Sequence, residues 1–423
     1  MALIFYNIFL KIYKAGIRIA SIWDPKAKLW LAGREDIFFV IKAKLKNQEK
    51  KHVWMHCASL GEFEQGRPLL ESIQREIRGC NIILTFFSPS GYEIMKNYPG
   101  ADHVFYLPLD SPSNAKQIVD AFNPSLVLWV KYEFWFYYLQ ELKQRNIPTL
   151  LIAGVFRNTQ PFFSRYGNLW RKMLLSFTWL FVQNDESETL LEKIGIHKNV
   201  SVSGDTRFDR VIEIAAIQFH APIIEAFCQN YQVIVAGSTW EDDEIILAAY
   251  GDETGHREKI ILVPHELDKP HLDSIKKIFR GSVLYSDIEK NTSPIENNTN
   301  YNTLIIDTMG ILSKLYQYGD INYVGGGFTK DGVHNVLEAA VWGRPVIFGE
   351  NYEKYVEAKE LLDCLAAETI SNTNELKETV TTLFSDHKMY DRAASAAKEY
   401  VFSKKGATKK IMKYLQENRL LTS

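Results

Sequence analysis

The sequence predicts an α/β protein with two open, parallel-stranded sheets, each covered by helices. Three observations predict it. From His52 onward, short runs rich in β-branched residues alternate with longer helical patterns, the mark of strands joined by helical crossovers. The alternation comes as two series separated by a helical stretch between Asp209 and Tyr231. A length of 423 residues suits two or three domains, and 46% hydrophobic with 24% charged residues excludes a disordered or fibrous chain.

The first series reads VWMHCAS (53–59), NIILTFF (81–87), DHVFYLP (102–108), SLVLWV (125–130), PTLLIAG (148–154) and WLFVQN (179–184), with helices starting near Glu62, Gly91, Asn114, Phe134, Phe163 and Asp185. The second reads VIVAGS (233–238), KIILVP (259–264), SVLYS (282–286), TLIIDT (303–308), INYVGG (321–326) and PVIFG (345–349). Divisions follow at 1–35 (a basic N-terminal segment), 36–215, 216–395, and 396–423 as a helix crossing back to the first domain. The polar stretch Asn291–Asn302 reads as a mobile surface loop. Two such domains are expected to face each other across a cleft, with ligands beyond the carboxyl ends of the strands.

Charge is distributed unevenly. The whole chain carries −2, too little field to recruit nucleic acid. Through Lys51, however, eleven basic residues stand against four acidic ones, giving +7 and leaving −9 for the rest. Within residues 1–22, Asn7, Lys11, Lys14 and Arg18 fall on one helical stripe and apolar residues cover the remainder. The segment lacks the arrangement of a signal peptide, and its three cations are costly near a bilayer centre. An interfacial helix at anionic headgroups fits, the more so with Trp23 and Trp30 nearby; packing on the protein's own core is the alternative. The four cysteines form no CxxC pair, so neither a zinc site nor a disulfide framework is expected.

Chemistry is expected in loops after strands. In NYVGGGFTKDGVHNVLEAA, Gly325, Gly326 and Gly327 permit positive φ and close ligand approach. A helix beginning near His334 or Asn335 then offers N–H groups to a phosphate, and Glu338 one turn in could meet ribose hydroxyls. The loops at Met309–Gly310 and at Pro264–His265 complete a candidate nucleotide site; the plain alternative for each is a tight turn or a solvated loop residue. In HCASLGE, Ser59, Gly61 and Glu62 open a helix after a strand, where Glu62 could act as a general base or only complement the helix dipole. Ser88, Ser90 and Gly91 could bind an anion or simply cap. Glu133 and Arg207 are the charged residues of KYEFW and SGDTRFD.

In order along the chain, SLGE (59–62), SPSGYE (88–93), YLPLDSP (106–112), Glu133-x-Trp135, QNDE (183–186), SGDTRFD (203–209), AGSTWEDDE (236–244), VPHE (263–266), DTMG (307–310), VGGGF and GVHNVLEAA (332–340) resemble the 3-deoxy-D-manno-octulosonic acid (Kdo) transferases, two-domain glycosyltransferases of the GT-B type. The resemblance implies two Rossmann-like domains with parallel sheets facing a central cleft, plus a membrane-associating N-terminal helix. It implies Glu62 as catalytic base and Glu133 and Arg207 as transition-state stabilisers. It also implies a CMP site at Pro264, His265, Met309, Gly310, Ile311, Gly326, Gly327, Asn335, Val336, Leu337 and Glu338, with Ser59, Gly61, Ser88, Ser90 and Gly91 on the acceptor side. His265 stands where the family has Arg, Ile311 where it has Glu, Val336 where it has Pro, and Lys131 where it has the first acid of an E-x-E pair. The implied reaction is inverting transfer of Kdo from CMP-Kdo to a lipid A precursor (lipid IVA) in lipopolysaccharide synthesis, with no metal or other cofactor. The implied place is the cytoplasmic face of the inner membrane, with residues 1–51 at the anionic surface as a peripheral segment or single anchor. A GT-B enzyme using a UDP-sugar and a non-catalytic membrane-associated nucleotide-binding protein are the competing readings.

Overall fold

The computed structural model describes residues 2–46, 51–77, 79–290 and 301–421. It divides into two compact units, Met1–Asp209 with Gly406–Ser423, and Arg210–Lys405. Among the described residues each unit is built on a seven-stranded parallel sheet.

In the first unit the strands are β1 (Lys51–Cys57), β2 (Cys80–Phe86), β3 (His103–Tyr106), β4 (Pro124–Val130), β5 (Thr149–Gly154), β6 (Trp179–Val182) and β7 (Val200–Val202), ordered β3-β2-β1-β4-β5-β6-β7. Strands buried on both faces carry apolar residues at successive positions, and alternation then sends neighbours to opposite layers. Trp54 and Trp129 enter a core with Tyr138, while Met55 and Leu128 enter another with Phe63. Direction reverses between β1 and β4, with Met55 paired to Leu84 on one side and Leu128 on the other. That reversal is the switch point at which open α/β sheets place ligands.

The second unit repeats the plan with β8 (Val233–Thr239), β9 (Lys259–Pro264), β10 (Ser282–Leu284), β11 (Thr303–Ile305), β12 (Ile321–Val324), β13 (Val346–Gly349) and β14 (Ala367–Ile370), ordered β10-β11-β9-β8-β12-β13-β14. Its switch point lies between β8 and β12.

Several expectations are corrected. The edge strands β7 and β14 escape the sequence patterns because they are only three and four residues long, with one and two polar residues. The unit boundary falls at Asp209/Arg210 rather than 215/216, and residues 396–405 stay with the second unit. There the helix His387–Ser403 is fastened by the Tyr390 hydroxyl donating to the Asp320 carbonyl (2.8 Å). The chain rejoins the first unit only at Gly406, whose φ of 110° breaks the helix. Asp209 then accepts the N–H groups of Gly406 (2.5 Å) and Thr408 (2.6 Å), and Ile411, Met412 and Leu415 of helix Ala407–Glu417 join the first unit's core. The helix expected near Phe163 is a short 3-10 turn, Pro161–Phe163, and the α-helix starts at Asn168. Residues 291–300 of the expected mobile loop lie outside the described residues.

Residues 1–35 do not stand apart, because helices Ala2–Ala20, Pro25–Ala32 and Ile37–Lys44 all pack on the first unit. Leu10 of the first helix is buried; Tyr6 donates to Asp110 (2.6 Å) and Tyr137 to Asn7 (2.8 Å). Its other side presents Ile4, Phe5, Ile8, Phe9, Ile12 and Ile19 to the exterior. The helix therefore has two apolar faces, and its own core satisfies only one. Among the described residues no helix is long and apolar enough to cross a membrane.

Candidate active site

The first sheet's switch point is flanked by two carboxylates. Glu62 sits in the first turn of helix Leu60–Glu76, directly after β1, and is 8% exposed. It accepts the backbone N–H of Ala58 (2.5 Å) and lies 3.5 Å from the N–H of Tyr132. Burial pushes its pKa up to about 7, with the neighbouring charge of Glu133 adding to the rise and the Ala58 N–H opposing it. A carboxylate poised there exchanges a proton near neutral pH. Glu62 thus sits at the helix N-terminus, buried and with its pKa raised.

Glu133 follows β4. Its Oε2 accepts from His56 Nε2 (3.2 Å) and Trp135 Nε1 (3.0 Å). His56 is fully buried on β1, and its Nδ1 lies 2.9 Å from Thr85 Oγ1, which in turn accepts from Trp54 Nε1 at 2.8 Å. Glu133 Oε2 accepts at Nε2, so Nε2 carries the proton aimed at Glu133; the Thr85 hydroxyl, which also donates toward the Met55 carbonyl at 3.4 Å, holds the other edge of the ring. Sequence reading passed over His56, since a histidine inside an apolar strand resembles a core residue; only its facing β4 across the sheet gives it a task.

Arg207 lies in the first turn of helix Thr206–Ala215. Its Nε and Nη2 donate to Asp205 Oδ2 at 2.9 and 2.8 Å. The Thr206 hydroxyl donates to the Gln65 carbonyl and ties this turn to the helix carrying Glu62. Glu62, Arg157, Arg207 and Asp205 all act electrostatically on the Tyr132 hydroxyl, which puts Arg207 in the surroundings of the acid pair. The acceptor-side residues divide. Ser59 is the N-cap of helix Leu60–Glu76 without a side-chain cap bond, and a Cβ on Gly61 would meet open space, so this turn offers room and N–H groups. Ser88 instead caps helix Pro89–Met95 through the Ser90 N–H (3.3 Å), and its hydroxyl meets that of Ser90 at 2.9 Å. A Cβ on Gly91 would fall 2.3 Å from the Phe86 ring; this glycine serves packing.

The second sheet's switch point is built from different material. After β12, Gly325 N–H bonds to the Gly237 carbonyl (2.9 Å) and Gly326 N–H to Asp243 Oδ2 (2.8 Å). The glycine loop therefore spends these two donors internally, and neither is left for a phosphate. Asp243, missed in the sequence, is the organiser: fully buried, it also accepts from Tyr323 Oη (2.7 Å) and Trp240 N (3.0 Å). A run of acids in a helix's first turn after a strand was its available signal. A Cβ on Gly327 would lie 2.4 Å from the Gly349 nitrogen, so this position admits no side chain.

Trp240 Nε1 donates to His334 Nε2 at 2.9 Å with the rings within 6° of parallel, and His265 stacks on both, 4.6 Å from each centroid. Burial lowers the pKa of His265 and holds that of His334 down at about 4, leaving both rings neutral at pH 7. The following helix is only Val336–Ala340; Asn335 caps it through the Leu337 N–H (3.3 Å) and donates to Glu338 Oε1 (2.9 Å). Val336 and Leu337 are fully buried, so only their backbones are available to a donor. Pro264 ends β9, Met309 is 85% exposed, and Gly310 (φ 87°) turns into Ile311, the N-cap of the short helix Leu312–Leu315. Among the described residues no group of three or more His, Cys, Asp or Glu is arranged to hold a metal.

The two parallel-sheet units are Rossmann-like and make the fold one of the two-Rossmann, GT-B type. Solved structures share the fold: UDP-GlcNAc 2-epimerase from Neisseria meningitidis bound to UDP-GlcNAc (TM-score 0.58, 17% identity, 86% of this chain and 100% of that one) and a glycosyltransferase from Rickettsia africae (TM-score 0.53, 15% identity, 89% and 100%). The family model for 3-deoxy-D-manno-octulosonic-acid transferase (kdotransferase) matches residues 34–210. Relatives include the 3-deoxy-D-manno-octulosonic acid transferases of Aquifex aeolicus (31% identical over 353 residues, 82% of this chain and 90% of the relative) and Haemophilus influenzae (27% over 379 residues, 86% of each). A bifunctional glycosyltransferase/methyltransferase of Fusobacterium nucleatum is 26% identical over 389 residues; the match covers 88% of this chain but only 56% of that longer protein. The chain belongs to the 3-deoxy-D-manno-octulosonic acid transferase family.

Proposed function

We propose that the protein transfers Kdo from CMP-Kdo to a lipid A precursor such as lipid IVA, with inversion, in lipopolysaccharide synthesis. The observation that carries this reading is the buried Glu62, its pKa brought up to about 7, beside Glu133 at the first sheet's switch point. Glu62 takes the proton of an acceptor hydroxyl; that oxygen attacks the anomeric carbon of Kdo as the bond to the CMP phosphate breaks, and CMP leaves with the electron pair. Glu133 and Arg207 stabilise charge around the reacting centre. No metal or other cofactor takes part.

In this reading the first unit takes the acceptor. The second holds CMP-Kdo through the β9, Met309–Ile311 and Asn335–Glu338 loops, with Glu338 at the ribose. The exposed apolar face of helix Ala2–Ala20 and its cations lie on the cytoplasmic face of the inner membrane as a peripheral attachment. The test is transfer from CMP-Kdo to lipid IVA in detergent by wild type and Glu62→Gln, with CMP, CDP and UDP compared as thermal stabilisers. Transfer by wild type alone and stabilisation by CMP support the reading. Near-normal transfer by Glu62→Gln removes the base, and stabilisation by UDP in preference to CMP removes the donor.

A further inference from the structure

The turn after β4 is fixed residue by residue. Lys131 stands in the left-handed region (φ 58°), which a long side chain occupies only where its surroundings hold it there. Its N–H bonds to the Ile152 carbonyl of β5 (3.0 Å). The Tyr132 N–H lies 3.5 Å from Glu62 Oε1. The Glu133 carbonyl accepts from Trp129 Nε1, and the Glu133 carboxylate from His56 and Trp135. Three consecutive residues are therefore held in place beside Glu62, and the outer two carry opposite charges. The Lys131 ammonium lies 5.0 Å from the centroid of the Tyr132 ring, within cation–π reach. It thus stays with the residue whose N–H faces Glu62.

Both charges bear on Glu62: the Glu133 carboxylate raises its pKa and the Lys131 ammonium lowers it. The other groups nearby do not take over the part of this cation. On β1, Cys57 is a fully buried thiol whose pKa is pushed well up, so it stays protonated. On the helix of Glu62 itself, Glu64 is a further acid, paired with Arg67 at 3.3 Å. Arg157, Arg207 and Asp205 act on the Tyr132 hydroxyl, and Arg207 is paired with Asp205 at 2.8 Å. Because Glu62 is buried, salt screens its interaction with Lys131 far less than it would a surface pair. We propose that Lys131 sets the pH range of the reaction: resting on the transferase reading above, its ammonium keeps Glu62 ionised as a base by offsetting the Glu133 carboxylate on the same turn. Lys131 touches no reacting atom and acts through Glu62. Without it, Glu62 meets burial and a like charge unopposed, and a larger share of the enzyme holds its base protonated near pH 7.

The experiment is the pH dependence of kcat/KM for the full chain in detergent micelles, with wild type compared to Lys131→Met, Lys131→Glu and Lys131→Arg. The midpoint of the acid limb is expected to move up by about half a pH unit in Lys131→Met and by about one pH unit in Lys131→Glu. Lys131→Arg keeps the charge and should return the midpoint to the wild-type value. At pH 6.5, Lys131→Glu should then be about tenfold below wild type in kcat/KM, with the deficit narrowing as pH rises. A midpoint that stays put in both Lys131→Met and Lys131→Glu overturns the proposal, as does a loss of the same size at every pH or an arginine variant that behaves like the methionine one. Should Lys131→Glu fail to fold, Lys131→Met carries the same test. Infrared difference spectra of each Lys131 form, with and without Glu62→Gln, titrate the Glu62 carboxyl with no substrate present. Absence of transfer by wild type therefore defeats the functional reading, while the infrared midpoints still decide this one.

Discussion

At the first sheet's switch point the loops after β1 and β4 carry a pair of carboxylates, one buried and brought near neutral acidity, the other gripped by His56 and Trp135. At the second sheet's switch point the loops after β8 and β12, with His265 after β9, carry glycines and a stack of neutral rings, and Asp243 holds the Gly326 and Trp240 N–H groups. Both sheets obey the same rule for where a site goes. The difference teaches that topology selects the address while the first residues past each strand select what is displayed there: carboxylates on one rim, glycines and stacked rings on the other.

The comparison breaks most sharply at Glu62. Glu62→Gln keeps the shape and removes the base, so kcat should fall on the order of 10³-fold, measured by transfer assay, while CMP-induced thermal stabilisation of the second unit's site persists. Loss of both together would mean that the rims are not chemically separate. Next is Gly327→Ala. Its Cβ would strike the Gly349 backbone at 2.4 Å; a backbone shift costing about 1–3 kcal/mol should lower the melting temperature and abolish the CMP-dependent shift. His56→Leu removes one hydrogen bond to a carboxylate, worth roughly 1.5–3 kcal/mol, and should reduce kcat/KM by about 10- to 100-fold. His56→Gln, which can place an amide N–H near Glu133, should recover part of the loss.

The remaining effects depend on pH. The base works ionised, so log kcat/KM should fall with unit slope as pH drops through about 7, where Glu62 titrates. The stability sign is opposite. A carboxyl raised from 4.5 to about 7 in the native state holds its proton there longer than in the unfolded chain. Its contribution is complete below about pH 4.5 and is lost as pH rises to about 7. Glu62→Gln should therefore be more stable than wild type at pH 8, by up to about 3 kcal/mol. Chemical denaturation at pH 4 and pH 8 measures the difference; equal values at both would place the working acidity elsewhere.

Most of the fold was legible because parallel strands buried on both faces must be apolar at successive positions, and twelve such runs stood out. β7 and β14 were not, since short edge strands have one neighbour and tolerate polar residues. The break at Gly406 was hidden as well: helices His387–Ser403 and Ala407–Glu417 read as one amphipathic run, and only a glycine with positive φ divides them between units.

Of the candidate site, Glu62 and Glu133 were visible from position, since each lies just past a strand. What the sequence determined by itself was composition at the rims: carboxylates after β1 and β4, glycines after β12, cations on the N-terminal helix. Only the tertiary structure decided how each group is used, because desolvation and hydrogen-bond partners come from residues distant in the chain. Burial raised Glu62; Thr85, thirty-odd positions from Trp54, oriented His56; Asp243 claimed the Gly326 N–H, more than eighty residues away. Whether the apolar N-terminal helix faced a core or the exterior depended likewise on a partner, and packing on the first unit satisfied one face while leaving the other exposed.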